Sequence, residues 1–289
     1  MSKLSQGFNA VVTHSSESQL HDDAKISITS DTLTASASAS TNSPTVSQFL
    51  NASNTEYLLS GTPAGMTAFD VNGKQLTYTN VGAGVAASVW ETTSGQIIVA
   101  YQGTTGGLNL LTDPVIALTQ IAADIGIYAG TVTTAETDSL AFAKTVESDA
   151  AAKGIASSNV FVTGHSLGGI EAEYVAQQTG LGGVAFESTG IPGSDGSGNS
   201  NFANIVTYGD PVGNYSSDIK GEQPFAPSSG LNHFGNVIMV GNSSDESTLH
   251  SDVSGWGNIF LDPFVLTDLV GLLVDIHLPG TQAHDLGVT

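Results

Sequence analysis

From Met66 onward, short apolar runs alternate with Gly-, Ser- and Asn-rich breaks. Runs of about four to eight apolar residues bounded by turn formers read as strands, and longer stretches with spaced apolar positions read as helices. "MTAFDVNGKQLTYTNV" turns at Asn72-Gly73, a pair suited to the positive φ of a tight hairpin. "AASVWETTSGQIIVAYQGTTGG" predicts a second hairpin, turning at Ser94-Gly95, with a Gly-rich loop after its second strand. Thr133 and Glu136 have the spacing of a capping box and open the helical stretch "AETDSLAFAKTVESDAAAKG". Next comes "NVFVTGHSLGGIEAEYVAQ" (159–177), a strand-like run, a Gly-flanked Ser and a helix-like run. Three more strands are predicted at 182–189, 203–209 and 236–242. Strands alternating with helical patterns predict an α/β fold with a mostly parallel central sheet flanked by helices, preceded by N-terminal β-hairpins.

Two stretches resist this reading. Residues 1–55 are Ser/Thr-rich and weakly periodic, and read as an N-terminal arm ahead of a single domain over 56–289. "LNLLTDPVIALTQIAADIGIYAG" (108–130) is apolar without strand-like alternation, and fits either a core helix or an apolar lid over a site.

Composition narrows the functions. The chain has 289 residues, 27 of them acidic and 6 basic, for a net charge of −21. All six basic residues are Lys. Without a basic surface there is no means of releasing phosphate counterions, so nucleic acid is not an expected partner. Electrostatic docking on anionic lipid headgroups is disfavoured for the same reason, whereas an uncharged lipid or polyester surface is not. The absence of Cys removes disulfides, thiolate metal sites and Cys nucleophiles. No apolar run is long enough to predict a transmembrane helix. The N-terminus lacks the basic and apolar regions of a cleavable signal.

The chemistry centres on Gly164-His165-Ser166-Leu167-Gly168, a G-x-S-x-G pentapeptide between strand and helix. A nucleophile there sits on a sharp, strained turn, its small neighbours allow close backbone approach, and the helix N-terminus faces a developing oxyanion. The alternative is a structural turn in a chain rich in Gly and Ser. A Ser nucleophile needs a base, and the base an orienting carboxylate, both C-terminal to it in α/β-hydrolase order. Asp210, at the end of the 203–209 strand, is the first carboxylate candidate, unless it merely initiates the turn before Pro211. Asp245 competes. His233, His250, His277 and His284 follow Asp210, with His284 taken as the base and His277 as its alternative. Oxyanion donors are expected from the N–H of Leu167 and, after Gly103, of Thr104.

Together these segments resemble the catalytic domain of bacterial lipases exported by type I secretion and linked to RTX repeats, and more distantly the class-3 lipases. The resemblance covers roughly residues 66–289. "IIVAYQGTTG" looks like the family's oxyanion strand, with Gln102 where Arg is usual. "VFVTGHSLGG" is similar to its nucleophile elbow, and "IVTYGDPV" to the strand ending in the triad Asp, which implies Asp210. "HLPGTQAHDL" looks like its terminal L-P-x(4)-H segment, implying His284, while its H-L-P places His277 in that role. The class-3 register would instead imply Asp245. The resemblance implies a serine carboxylic-ester hydrolase acting on lipid or other esters, secreted without a cleaved N-terminal signal, with a cytoplasmic location as the alternative. Phospholipase, polyester depolymerase and acyltransferase activity share that machinery, and a catalytically silent exported surface domain is the rival from another class. No cofactor is required. Family members bind calcium near the lid, but 108–130 offers only Asp113 and Asp124, short of the roughly six to eight oxygens that Ca²⁺ takes. No G-G-x-G-x-D repeats occur in the chain.

Overall fold

Apolar runs that must bury both faces can do so only at the centre of a layered structure, and four of them lie there with a fifth, half-buried strand at the edge of the same sheet. The computed structural model describes residues 43–58, 61–103, 132–196, 201–216, 218, 230–253 and 272–288. Strands β6 (Ile97–Tyr101), β7 (Val160–His165), β8 (Gly182–Phe186), β10 (Phe202–Thr207) and β12 (Asn236–Val240) lie side by side in that order, each parallel to its neighbour. β5 (Val85–Thr92) extends the sheet antiparallel to β6 through the hairpin turning at Ser94-Gly95. Beyond β5 stand β1 (Met66–Ala68) and β4 (Thr77–Asn80), completing eight strands. Apart from this sheet, β9 (Ile191–Pro192) pairs antiparallel with β11 (Leu231–Asn232). Between them β2 (Asp70–Val71) and β3 (Lys74–Gln75) pair antiparallel around Asn72 and Gly73, whose φ values of 56° and 79° are those the sequence pair favours. The fold is therefore α/β, with a mixed, mostly parallel sheet.

Side-chain alternation assigns the two faces. Ile97, Val99, Tyr101, Val160 and Val162 point to one side, where helices α2 (Thr134–Ala152) and α3 (Leu167–Thr179) pack through residues such as Phe142, Val146 and Val175. Ile98, Ala100, Phe161, Val184 and Phe186 point to the other, against α1 (Val46–Leu58) and the end of α5 (Pro279–Asp285). α1 runs across residue 55, where the sequence expectation ends the arm. Phe49, Leu50 and Ala52 are buried on the sheet, and the two large side chains, Phe49 and Leu50, contribute about 1.5–3 kcal/mol each. Ser53 and Glu56, buried among these apolar positions, hide the periodicity of α1 in the sequence. Residues 1–42 of the expected arm lie outside the described residues. The capping box at α2 forms as its spacing requires, with Thr133 N–H donating to Glu136 and Glu136 N–H to Thr133 Oγ1. Among the described residues, no helix is long and apolar enough to cross a membrane.

In the parallel strands, His165 stands level with Phe186, and Phe186 with Ile205. The residues that follow each strand thus emerge along one rim, the carboxyl edge where open α/β sheets place their sites.

Behind that rim lies a buried polar cluster. Ser188 donates to Glu173, and Glu173 also accepts the Phe234 N–H at 2.7 Å. Both ring nitrogens of His233 face acceptors, Asp218 Oδ1 at 2.9 Å and the Ser188 carbonyl at 2.8 Å, which calls for a doubly protonated ring. Burial opposes that charge, but the bond to Asp218 and the charges of Glu173 and Asp218 outweigh it and raise the His233 pKa. Burial raises Glu173 from 4.5 to about 7, against the pull of His233 and its hydrogen bonds. Glu56, Glu136, Glu171 and Glu187 are also raised, each chiefly by burial. A group with a raised folded-state pKa contributes stability that is complete below its unfolded value and lost as pH rises through the folded one. The melting temperature is therefore expected to fall as pH rises from 5 to 8. Glu173→Gln should flatten this slope, removing up to roughly 3 kcal/mol of pH dependence between 4.5 and 7. Thermal denaturation across that range checks it, and a wild-type melting temperature constant with pH would contradict it.

Candidate active site

Ser166 joins β7 to α3 at φ 58° and ψ −123°, a conformation that costs a non-Gly residue about 1–3 kcal/mol. The surroundings hold it there. Its N–H donates to the Phe186 carbonyl at 2.9 Å, and its carbonyl accepts the Gly169 and Ile170 N–H groups. The neighbouring glycines are dictated by contact. A Cβ on Gly164 would stand 2.1 Å from the Gly168 carbonyl oxygen, and one on Gly168 would stand 2.3 Å from that of Tyr101. The same approach brings the end of β6, and so Gln102 and Gly103, against the start of α3. Among the described residues the Leu167 N–H makes no hydrogen bond, leaving it available as a first-turn donor. Thr104, the other expected oxyanion donor, lies outside the described residues, as does the whole of 108–130 with Asp113 and Asp124.

Asp210 follows β10 through a tight turn and is fully buried. Its carboxylate accepts the Val212 N–H at 3.1 Å and the Gly213 N–H at 2.9 Å. His277, also fully buried, ends a π-helical turn (Leu273–His277), and its Nδ1 lies 3.0 Å from both Asp210 oxygens. Burial alone would raise the Asp210 pKa. The charge and hydrogen bond of His277, with further bonds from Glu187 and Gly213, instead hold it at about 2. An ionised Asp210 requires the proton on His277 Nδ1, so Nε2 is the acceptor in the neutral ring. Nε2 is buried and has no hydrogen-bond partner among the described residues. The His277 ring lies 4.8 Å from that of His165, the residue beside Ser166. His165 is fully buried and its pKa is pushed well down, by burial and then by His277, so it stands neutral beside the pair.

The other expected bases lie elsewhere. His284 is 73% exposed and its nearest carboxylate is Asp285, at 3.4 Å. The reason is helical phase. Gln282 points inward on α5 and is fully buried, and two residues further on a helical side chain points to the opposite side. The geometry thus pairs Asp210 with His277, not with His284. His250, on helix α4 (Ser244–Val253), pairs with Glu246 one turn away, and His233 belongs to the cluster behind the rim. Asp245 packs against Gly209 and is raised by burial and the charge of Asp285, with no His paired to it among the described residues. Among the described residues, no group of three or more potential ligands could hold a metal ion.

Two buried side chains at the rim carried no signal in sequence. Glu187 reads as a polar end to an apolar strand, and Gln282 as one residue of a polar terminal segment.

No family model matches the chain, and no curated protein does. Among solved structures, the extracellular lipase LipA from Serratia marcescens aligns over 87% of this chain and 40% of its own, at 18% identity and a TM-score of 0.39. The chain spans less than half the length of that protein, and likeness at this level assigns neither family nor activity.

Proposed function

We propose that the protein is a serine hydrolase of carboxylic esters, of the lipase type, with Ser166 as nucleophile, His277 as base and Asp210 as the orienting carboxylate. One observation carries the reading: a strained Ser at a strand-to-helix turn shares a rim with a buried imidazole whose Nδ1–H is held by an ionised, fully hydrogen-bonded carboxylate. Ser166 Oγ attacks the ester carbonyl while His277 Nε2 takes its proton. The charge gathering on the carbonyl oxygen is met by the Leu167 N–H, the positive end of α3 and the Thr104 N–H. Collapse of the tetrahedral intermediate expels the alcohol, which leaves with the proton returned by His277. Water, activated by the same base, then releases the acid from the acyl-enzyme. Asp210 stabilises the transient imidazolium without taking its proton. The apolar 108–130 segment favours esters with apolar acyl chains.

The test is covalent. A fluorophosphonate probe is expected to label the folded protein once, at Ser166, and to block p-nitrophenyl ester hydrolysis. Absence of labelling in a folded sample would favour a silent domain. Triglyceride, phospholipid and polyester film presented in parallel would then define the substrate.

A further inference from the structure

The rim holds a second buried carboxyl that this mechanism does not use. Glu187 follows β8 at φ 50°, a costly conformation for a residue with a side chain, and is fully buried. Its Oε1 accepts from Thr207 N–H at 3.1 Å, Thr207 Oγ1 at 2.6 Å and Gln282 Nε2 at 2.5 Å. The Thr207 N–H is shared with Oε2, also at 3.1 Å. The carboxyls of Glu187 and Asp210 lie close enough for each to shift the pKa of the other. Glu187 Oε2 and Asp210 Oδ2 flank one spot, for a Cβ on Gly213 would meet them at 2.9 and 3.1 Å.

Donor counting decides where the proton sits. Ionised carboxylates only accept, so a bond between two carboxyls needs a proton on one. Asp210 accepts Val212 N–H, Gly213 N–H and His277 Nδ1, the environment of an anion. Among the described residues no cation pairs with Glu187, and three donors occupy its Oε1, which leaves Oε2 as the hydroxyl. Burial, and then the Asp210 charge, raise its pKa, in keeping with that assignment.

We infer that Glu187 is a positioning residue for this site: as a neutral acid it donates Oε2–H to Asp210 and, through Oε1, anchors Gln282 on α5. One side chain thereby fixes both the carboxylate and the segment that carries His277. The inference rests on the hydrolase reading above.

Glutamine reproduces the pattern, with an amide N–H toward Asp210 and an oxygen toward Thr207 and Gln282. Leucine keeps the bulk and removes both. On a p-nitrophenyl ester, Glu187→Leu should lower kcat roughly 10–100-fold with KM little changed, the usual scale for losing an outer hydrogen-bond partner. Glu187→Gln should restore kcat to within about threefold of wild type, since only a neutral donor is required. In the infrared, Glu187→Gln should lose one band of a protonated carboxylic acid. Wild-type kcat in the Leu variant, Gln as impaired as Leu, or an unchanged acid band would each overturn the inference. If Glu187→Leu does not fold, the kcat and infrared band of the Gln variant decide. Ser166→Ala, assayed alongside, separates the two claims. Full hydrolysis in that variant sinks the hydrolase reading, while the infrared result still reports the Glu187 proton.

Discussion

His277→Ala is expected to lower kcat for ester hydrolysis by about 10⁴-fold or more, and His284→Ala to leave it within about twofold. The two histidines lie seven positions apart in one terminal segment, so comparing them controls for general damage there. His277 is buried with Nδ1 held by Asp210, whereas His284 faces solvent beside Asp285. In the proposed mechanism, removing the first takes away the group that receives the Ser166 proton, whereas removing the second trims an exposed side chain. Asp210→Asn is expected to follow His277→Ala rather than His284→Ala. Its amide can present an N–H to Nδ1 and so favour the wrong tautomer, an effect of about 10⁴-fold in a comparable triad. Steady-state kinetics on one chromogenic ester decide the matter. If His284→Ala inactivates and His277→Ala does not, the assignment of the base is wrong.

The second large effect is on folding. Gly164→Ala is expected to destabilise the protein by about 3 kcal/mol or more, or to prevent soluble expression. The added methyl would stand 2.1 Å from a backbone carbonyl oxygen, and no rotamer change can relieve a clash between two main-chain-anchored groups. The turn must open, and with it the contact between β7 and α3. Gly280→Ala is the control. A Cβ there meets nothing within 4 Å, and the residue lies in the first turn of α5. Alanine should be neutral or stabilise by up to about 1 kcal/mol through helix propensity and reduced freedom in the unfolded chain. Urea denaturation of both variants gives the comparison, and equal stabilities would refute the steric argument.

The strands were legible because a strand buried on both faces must be apolar throughout. "IIVAY", "VFVT" and "GGVAF" have no other easy place, and Asn72-Gly73 and Thr133-x-x-Glu136 punctuate them with specific backbone demands. Ser166 was legible because its neighbours are fixed by contacts that admit little but glycine. The partner of Asp210 was not. Residues 277–285 offer two histidines, and choosing between them needs the phase of α5, which is set by Gln282 reaching back to Glu187. Such a contact spans 95 positions and leaves no local trace. The helix over 46–58 was missed for a related reason, because its buried positions include Ser53 and Glu56, so its pattern resembles the Ser/Thr-rich residues before it.

The buried glutamates also change what the composition says about charge. A formal −21 counts every carboxyl as ionised. Each glutamate that keeps its proton inside the fold removes one unit from that count, so the native molecule is a weaker polyanion than its unfolded chain at the same pH. Unfolding in weakly buffered solution should therefore acidify the medium, and the heat of denaturation should vary with the ionisation enthalpy of the buffer. Electrophoretic mobility in native gels should likewise fall short of what the sequence implies, most visibly in mildly acidic buffer.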